Sequence, residues 1–441
     1  MEISREISIE IASPGWGLTG YVVGLSVGSV HFSEHLVVGM AQFPDIAVVG
    51  AGIVGAACAE ALSSAGLVVQ VLDRHAPAAG TSAAGEGNVL VSDKPPGAEL
   101  RLALASRERW PELVDALREE LGGAADFEWD AKGGVVAATT VDDSVALEAF
   151  AAEQRAAGVD ARILTPDEAF QLEPHLTRET ALAVHYPQDA QVQPVLAASA
   201  LLAAVRKRGG AVRKATASGV TRGAGGRVTG VRTDRGVLHC GAVVNACGPW
   251  SAEFSRACGA PIAIHPRRGV VLVTAPVPAG TVRHKVYDAD YVGAVESGEA
   301  DLQTSTVVES TRAGTVLIGS SRERIGFDDT IRTRVLREIA RKAAALFPVL
   351  GRVPVMRAYG GFRPYAPDHL PVIGEDPRVP GLWHATGHEG AGVGLAAATG
   401  RLLADLLTGR APQVDPAPFR ADRPALLEES PSSSQPHPRG P

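Results

Sequence analysis

The sequence predicts an α/β fold, α+β overall, in which a Rossmann-like nucleotide-binding domain is interrupted by an inserted mixed-sheet domain. Three observations predict it. Residues 45–74, "DIAVVGAGIVGAACAEALSSAGLVVQVLDR", read as strand, glycine turn, helix and strand in immediate succession. Alanine-rich helical stretches at 98–121 and 144–158 precede strand-like runs with turn glycines over 211–245 and further β-rich sequence over 267–319. A helical stretch at 332–347, short strands and a glycine-led helix then close the pattern.

The 441 residues are 45% hydrophobic and 21% charged, which is ordinary for a soluble globular chain with room for two or three domains. A net charge of −7 with no basic block gives nucleic-acid binding no support. Cys58, Cys240, Cys247 and Cys258 have no CxxC spacing and read as reduced packing residues, so no metal site is expected. No apolar run is long enough to span a bilayer. The signal-like stretch 21–30 follows an acidic start (Glu2, Glu6 and Glu10 against Arg5), so a cytoplasmic location is expected. Residues 1–39 fit no element, and Met40 stands just before the first strand. The expectation is an extension, or a start assigned upstream of the true one at Met40. The Ser/Pro-rich end 428–441 lacks apolar residues and reads as disordered.

The most specific stretch is GxGxxG at Gly50, Gly52 and Gly55, directly after the strand 46–49. The first glycine permits a tight turn, the second lets backbone close on a pyrophosphate, and the third lets helix pack on strand. The helix opening at Ile53 and Val54 offers free N–H groups to phosphates. The second strand, 68–72, ends at Asp73, where a carboxylate accepts ribose hydroxyls. A dinucleotide follows; the motif does not choose NAD from FAD, while Asp73 argues against NADP. "GTSAAGEGN" (80–88) has the small residues and hydroxyls of a segment running past a cofactor, and "VVNACGPWS" (243–251) is an apolar strand ending in a small-residue turn. "GHEGAGVGLA" (387–396) places three glycines in its first six residues, where a helix must start, although each costs roughly 1 kcal/mol of helix propensity. Something must approach that backbone more closely than a side chain allows.

Together with "GGFRPYAPDHLPVIG" (360–374), these segments resemble the D-amino-acid oxidase family of flavoenzymes over roughly residues 44–409. The wording "GHEGAGVGLAAATG" looks most like the flavin subunits of hydrogen cyanide synthase, opine oxidase and D-hydroxyproline dehydrogenase. The resemblance implies FAD, held along Gly50, Gly52, Ile53, Val54, Gly55, Asp73 and Arg74 in the first unit. It adds Thr81, Ser82, Ala83, Gly87 and Asn88, then Gly248, Trp250 and Gly361. It also implies that Gly387, His388, Glu389, Gly390, Ala391, Gly392 and Val393 lie under the flavin, with N–H groups toward its pyrimidine edge. "GTSAAGEGN" lacks the histidine, and the region before Arg363 lacks the cysteine, that carry covalent flavin in some relatives, so non-covalent FAD is expected.

By the same resemblance Arg363 binds a substrate carboxylate, in keeping with the fork geometry of a guanidinium. An aromatic hydroxyl assists it in this family, and Tyr291 is the leading candidate, with Tyr287 and Tyr359 behind it. "PRRG" (266–269) takes no role from the sequence. The implied activity is FAD-dependent oxidation of a small amino or imino acid of the D-amino acid, glycine, sarcosine or D-proline type. The alternative is the flavin-bearing subunit of a heteromeric opine or hydroxyproline dehydrogenase, which passes electrons to partner subunits or a respiratory acceptor. In this reading 44–130, 180–255 and 355–410 bind FAD, 131–179 and 256–354 bind substrate, 1–43 is the extension and 411–441 a disordered tail.

Overall fold

The computed structural model describes residues 43–290 and 301–427. The apolar run Ile46–Val49 is buried along its whole length, as expected of a strand covered on both faces. It lies inside a six-stranded sheet ordered Val372–Glu375, Leu382–Thr386, Ala242–Asn245, Ile46–Val49, Val69–Asp73 and Ala211–Lys214. All neighbours run parallel except the first pair. Ile46 therefore stands level with both Ala242 and Val69, and the three strand ends open on the same side. Helix Gly392–Thr408 crosses helix Ile53–Ser64 so closely that a Cβ on Gly400 would lie 2.4 Å from the Ala57 carbonyl oxygen. Small residues at this crossing bring the glycine-led segment against the glycine turn.

The second sheet has eight strands, ordered Val355–Tyr365, His265–Thr274, Val316–Arg322, Gln303–Ser310, Lys285–Asp288, Gly134–Ala138, Leu182–Tyr186 and Arg162–Leu164. It is mixed, because Lys285–Asp288 pairs parallel with Gly134–Ala138 while the other neighbours run antiparallel. Helix Thr333–Leu346 carries Val335, Ile339, Ala343 and Leu346 on one stripe, and these are buried with the sheet's apolar face.

Several readings of the sequence change here. Leu182–Tyr186 and Val355–Tyr365, which lie within the segments 180–255 and 355–410 that the sequence grouped with nucleotide binding, hydrogen-bond into the eight-stranded sheet. Helix Pro166–Leu172 was not read, yet Thr165 and Glu168 form a reciprocal capping box at its start. The tail expected from residue 411 is packed as far as Leu427. Phe419 is fully buried there, and Arg423 Nη2 donates to Asp368 Oδ1 at 3.0 Å. The disorder signature of composition begins only at 428, outside the described residues, as do the 1–39 extension and Tyr291. Among the described residues no helix is long and apolar enough to cross a membrane.

Candidate active site

The glycine turn explains itself in the backbone. Gly50 has φ +112°, and a Cβ there would sit 2.2 Å from Ala246 O; one on Gly55 would sit 2.0 Å from Gly50 O. Gly52 meets only the Ser82 hydroxyl, at 3.2 Å, so its face is open to a ligand. Ser82 Oγ accepts from Ile53 N–H at 2.9 Å, and Asp73 Oδ2 accepts from Ala51 N–H at 2.8 Å. Asp73 Oδ1 accepts from His75 N–H at 2.8 Å. The carboxylate thus braces the turn, while each oxygen keeps a lone pair for a ribose hydroxyl. Arg74 lies over the Trp250 ring at 4.3 Å, and Trp250 stacks on Phe327 at 5.5 Å.

Apart from Ala51 and Phe327, these residues line a cavity of about 460 Å³ that runs from Asp73, Arg74 and Trp250, past the GxGxxG turn, to Gly361, Arg363 and Gly390. Of the residues assigned to the cofactor from sequence, Ala83, Gly387 and Ala391 are absent from its wall. Ala83 belongs to a tight turn and gives its N–H to Ala78 O. Gly387 is glycine for conformation and packing, with φ +79° and Ile264 Cδ1 only 3.2 Å from where its Cβ would be. Ala391 lines a second cavity, of about 310 Å³, which shares Arg363, His388, Glu389 and Gly390 with the first. The helix itself begins only at Gly392; Glu389, at φ +45°, turns the chain into it and donates its N–H to Pro364 O at 3.1 Å.

Pairing of His265–Thr274 with Val355–Tyr365 builds the other end. It sets Arg267 opposite Arg363, Arg268 opposite Phe362, and Gly269 opposite Gly361. The "PRRG" motif acquires a role from this register. The Arg363 guanidinium lies across Gly269, where a Cβ would fall 2.2 Å from Nη1, and Arg268 lies across Gly360 in the same way, 2.7 Å from the missing Cβ. Arg363 Nη1 donates to Ser321 O at 2.9 Å, and Gly390 flanks the same side chain. Arg267, almost wholly buried, donates through Nη1 to Glu389 Oε2 at 3.2 Å, and His369 Nδ1 meets Glu389 Oε1 at 2.9 Å. The Glu389 hydrogen bond holds the His369 pKa above its ordinary value. Burial drives the His388 imidazole down to about 3, so it stays neutral, with Nε2 3.0 Å from Thr399 Oγ1.

Neither candidate tyrosine among the described residues lines either of these two cavities. Tyr287 is fully buried and donates its hydroxyl to Ser92 Oγ, while the Tyr359 ring lies 5.6 Å from Arg357. Residues that the sequence reading missed are Glu86 on the first cavity and Lys94, Glu99, Arg322 and His369 on the second.

The sequence model of the FAD dependent oxidoreductase (DAO) family matches residues 45–406. The chain belongs to this family. It is 30% identical over 418 residues to the hydrogen cyanide synthase subunit HcnC of Pseudomonas aeruginosa, a match covering 86% of this chain and 96% of that one. It is 29% identical over 384 residues to the glycine oxidase of Geobacillus kaustophilus, covering 86% and 97%. The crystal structure of that glycine oxidase superposes with a TM-score of 0.77 at 27% identity, over 86% of this chain and 98% of that one. A family member is an FAD-dependent oxidoreductase, and the first cavity fits the cofactor. Its Gly52 face is open, and two buried polar atoms on its wall, His388 Nδ1 and Glu86 Oε1, have no hydrogen-bond partner among the described residues.

Proposed function

We propose that this enzyme oxidises a small amino or imino acid at its carbon–nitrogen bond, with Arg363 gripping the substrate carboxylate. The observation that carries this is the seat of Arg363 at the junction of the two cavities, over Gly269 and beside Gly390. A planar guanidinium there makes two parallel charge-assisted bonds to a carboxylate and so fixes the α-carbon. Full-length relatives named glycine oxidase and hydrogen cyanide synthase subunit support the substrate class. When bound, FAD supplies the acceptor for the α-hydride. The chain contributes position and electrostatics: Arg363 orients the substrate, Glu389 braces Arg267 on the strand opposite it, and neutral His388 adds no competing charge. The imine product then hydrolyses in water.

The test is an anaerobic panel of glycine, sarcosine, D-proline and an opine, read by bleaching of the bound flavin. At least one bleaches it, while the corresponding amine without a carboxylate does not. If dithionite bleaches the flavin and no amino or imino acid does, the proposal fails.

A further inference from the structure

The second cavity meets the cofactor cavity along Arg363 and the Glu389 loop, and the start of helix Ala98–Leu121 forms part of its wall. Glu99 stands there, half-buried, and makes no hydrogen bond or ion pair among the described residues. The other carboxylates on this wall are all engaged. Asp93 holds Lys94 at 2.6 Å, Asp368 holds Arg423, and Glu389 holds Arg267 and His369. One acid is thus left on the wall of a chamber that the arginine assigned to the substrate carboxylate also lines.

We propose that Glu99 takes the proton from the substrate ammonium, a role that rests on Arg363 holding the carboxylate. A protonated amine has no lone pair with which to assist departure of the α-hydride. In the step, an N–H bond breaks, its electron pair stays on nitrogen, and a Glu99 oxygen gains the proton. Ammonium becomes amine, carboxylate becomes carboxylic acid, and no oxidant is consumed. The surroundings suit the task. Burial pushes the Glu99 carboxyl up to about 7; Lys94 and His369 oppose the rise, and Asp93 and Glu389 add to it. Arg322, Arg363 and Asp368 complete the charged groups on that wall.

The experiment compares the FAD-loaded parent with Glu99→Gln and Glu99→Asp. Two ligands that cannot be oxidised are titrated by the flavin absorbance change: 2-aminoisobutyrate, which lacks an α-hydrogen, and isobutyrate, which lacks the amine. Glu99→Gln weakens 2-aminoisobutyrate about tenfold near pH 8 and leaves isobutyrate within about twofold, and Glu99→Asp restores part of the difference. With the fastest substrate of the panel, the acid limb of kcat/KM moves from near 7 up to the ammonium's own pKa. The two enzymes converge at high pH, where the amine arrives neutral; a merely structural defect would not converge. An unchanged ratio of the two affinities, with isobutyrate still bound, refutes the Glu99 assignment alone. Failure of isobutyrate to bind the parent removes the Arg363 reading and the Glu99 role with it.

Discussion

Gly269→Ala tests the site through a residue that touches neither substrate nor cofactor by a side chain. The added Cβ would lie 2.2 Å from Arg363 Nη1, 2.7 Å from Cζ and 2.8 Å from Nη2. Carbon contacts settle near 3.5–4.0 Å, so the guanidinium must move by roughly 1 Å or more. The backbone at 269 is an ordinary strand paired with Gly361, so the substitution imposes no left-handed strain. A misplacement of about 1 Å in a positioning group costs up to about 100-fold in rate, or about 2.7 kcal/mol. Steady-state kinetics with the best amino acid of the panel should therefore show kcat/KM falling about 10- to 100-fold, with FAD content and melting temperature near those of the parent. On an Arg363→Ala background, Gly269→Ala should add almost nothing, because both changes act on one guanidinium. A fully active Gly269→Ala enzyme, or losses that simply add, would refute the claim that Gly269 seats Arg363.

Arg363→Ala itself should lower kcat/KM by about 30- to 1,000-fold, and Arg363→Lys should recover only part of it, since a point charge cannot reproduce the fork. Parent-like turnover of amino acids by the alanine variant would move the carboxylate site elsewhere. FAD should be non-covalent: acid precipitation leaves the yellow colour in the supernatant, and colour retained in the pellet contradicts this. His388 is held near 3 against an ordinary value of 6.5, so the unfolded chain takes up a proton that the native chain refuses. Its contribution to stability is present above pH 6.5 and is lost as pH falls from 6.5 toward 3. Melting curves should show His388→Gln flattening that slope; an unchanged slope would mean that other groups carry it.

The glycine turn was legible because the strand, turn and helix that need it lie in one short unit of chain: Gly50 takes a positive φ and Gly55 packs on the Gly50 carbonyl, although the clash that bars a side chain at Gly50 comes from distant Ala246. The helix Ala98–Leu121 was legible for the same reason. "PRRG" was not, since its glycine serves an arginine on a strand nearly a hundred residues later, and only the register between those strands reveals it. Gly387 shows the converse case: a glycine inside a cofactor-like motif whose need for a missing side chain is already met by Ile264 and by its own φ. Tyr287 was a reasonable candidate by position along the chain, but its side chain is committed to Ser92 in the interior. Glu99 carried no motif at all; its interest arises from what folds around it.

The four residues shared by the two cavities impose a thermodynamic bond on their occupants. Arg363, His388, Glu389 and Gly390 belong to both walls, and Glu389 is tied to Pro364, beside the arginine, and to Arg267, opposite it. An occupant that displaces this shared wall changes the affinity of the neighbouring cavity, and reciprocity requires the same factor in both directions. If a carboxylate sits on Arg363 as proposed, cofactor retention and carboxylate recognition are two readings of one coupling constant. A carboxylate that tightens FAD binding by a given ratio is itself bound more tightly by that ratio in the FAD-loaded protein.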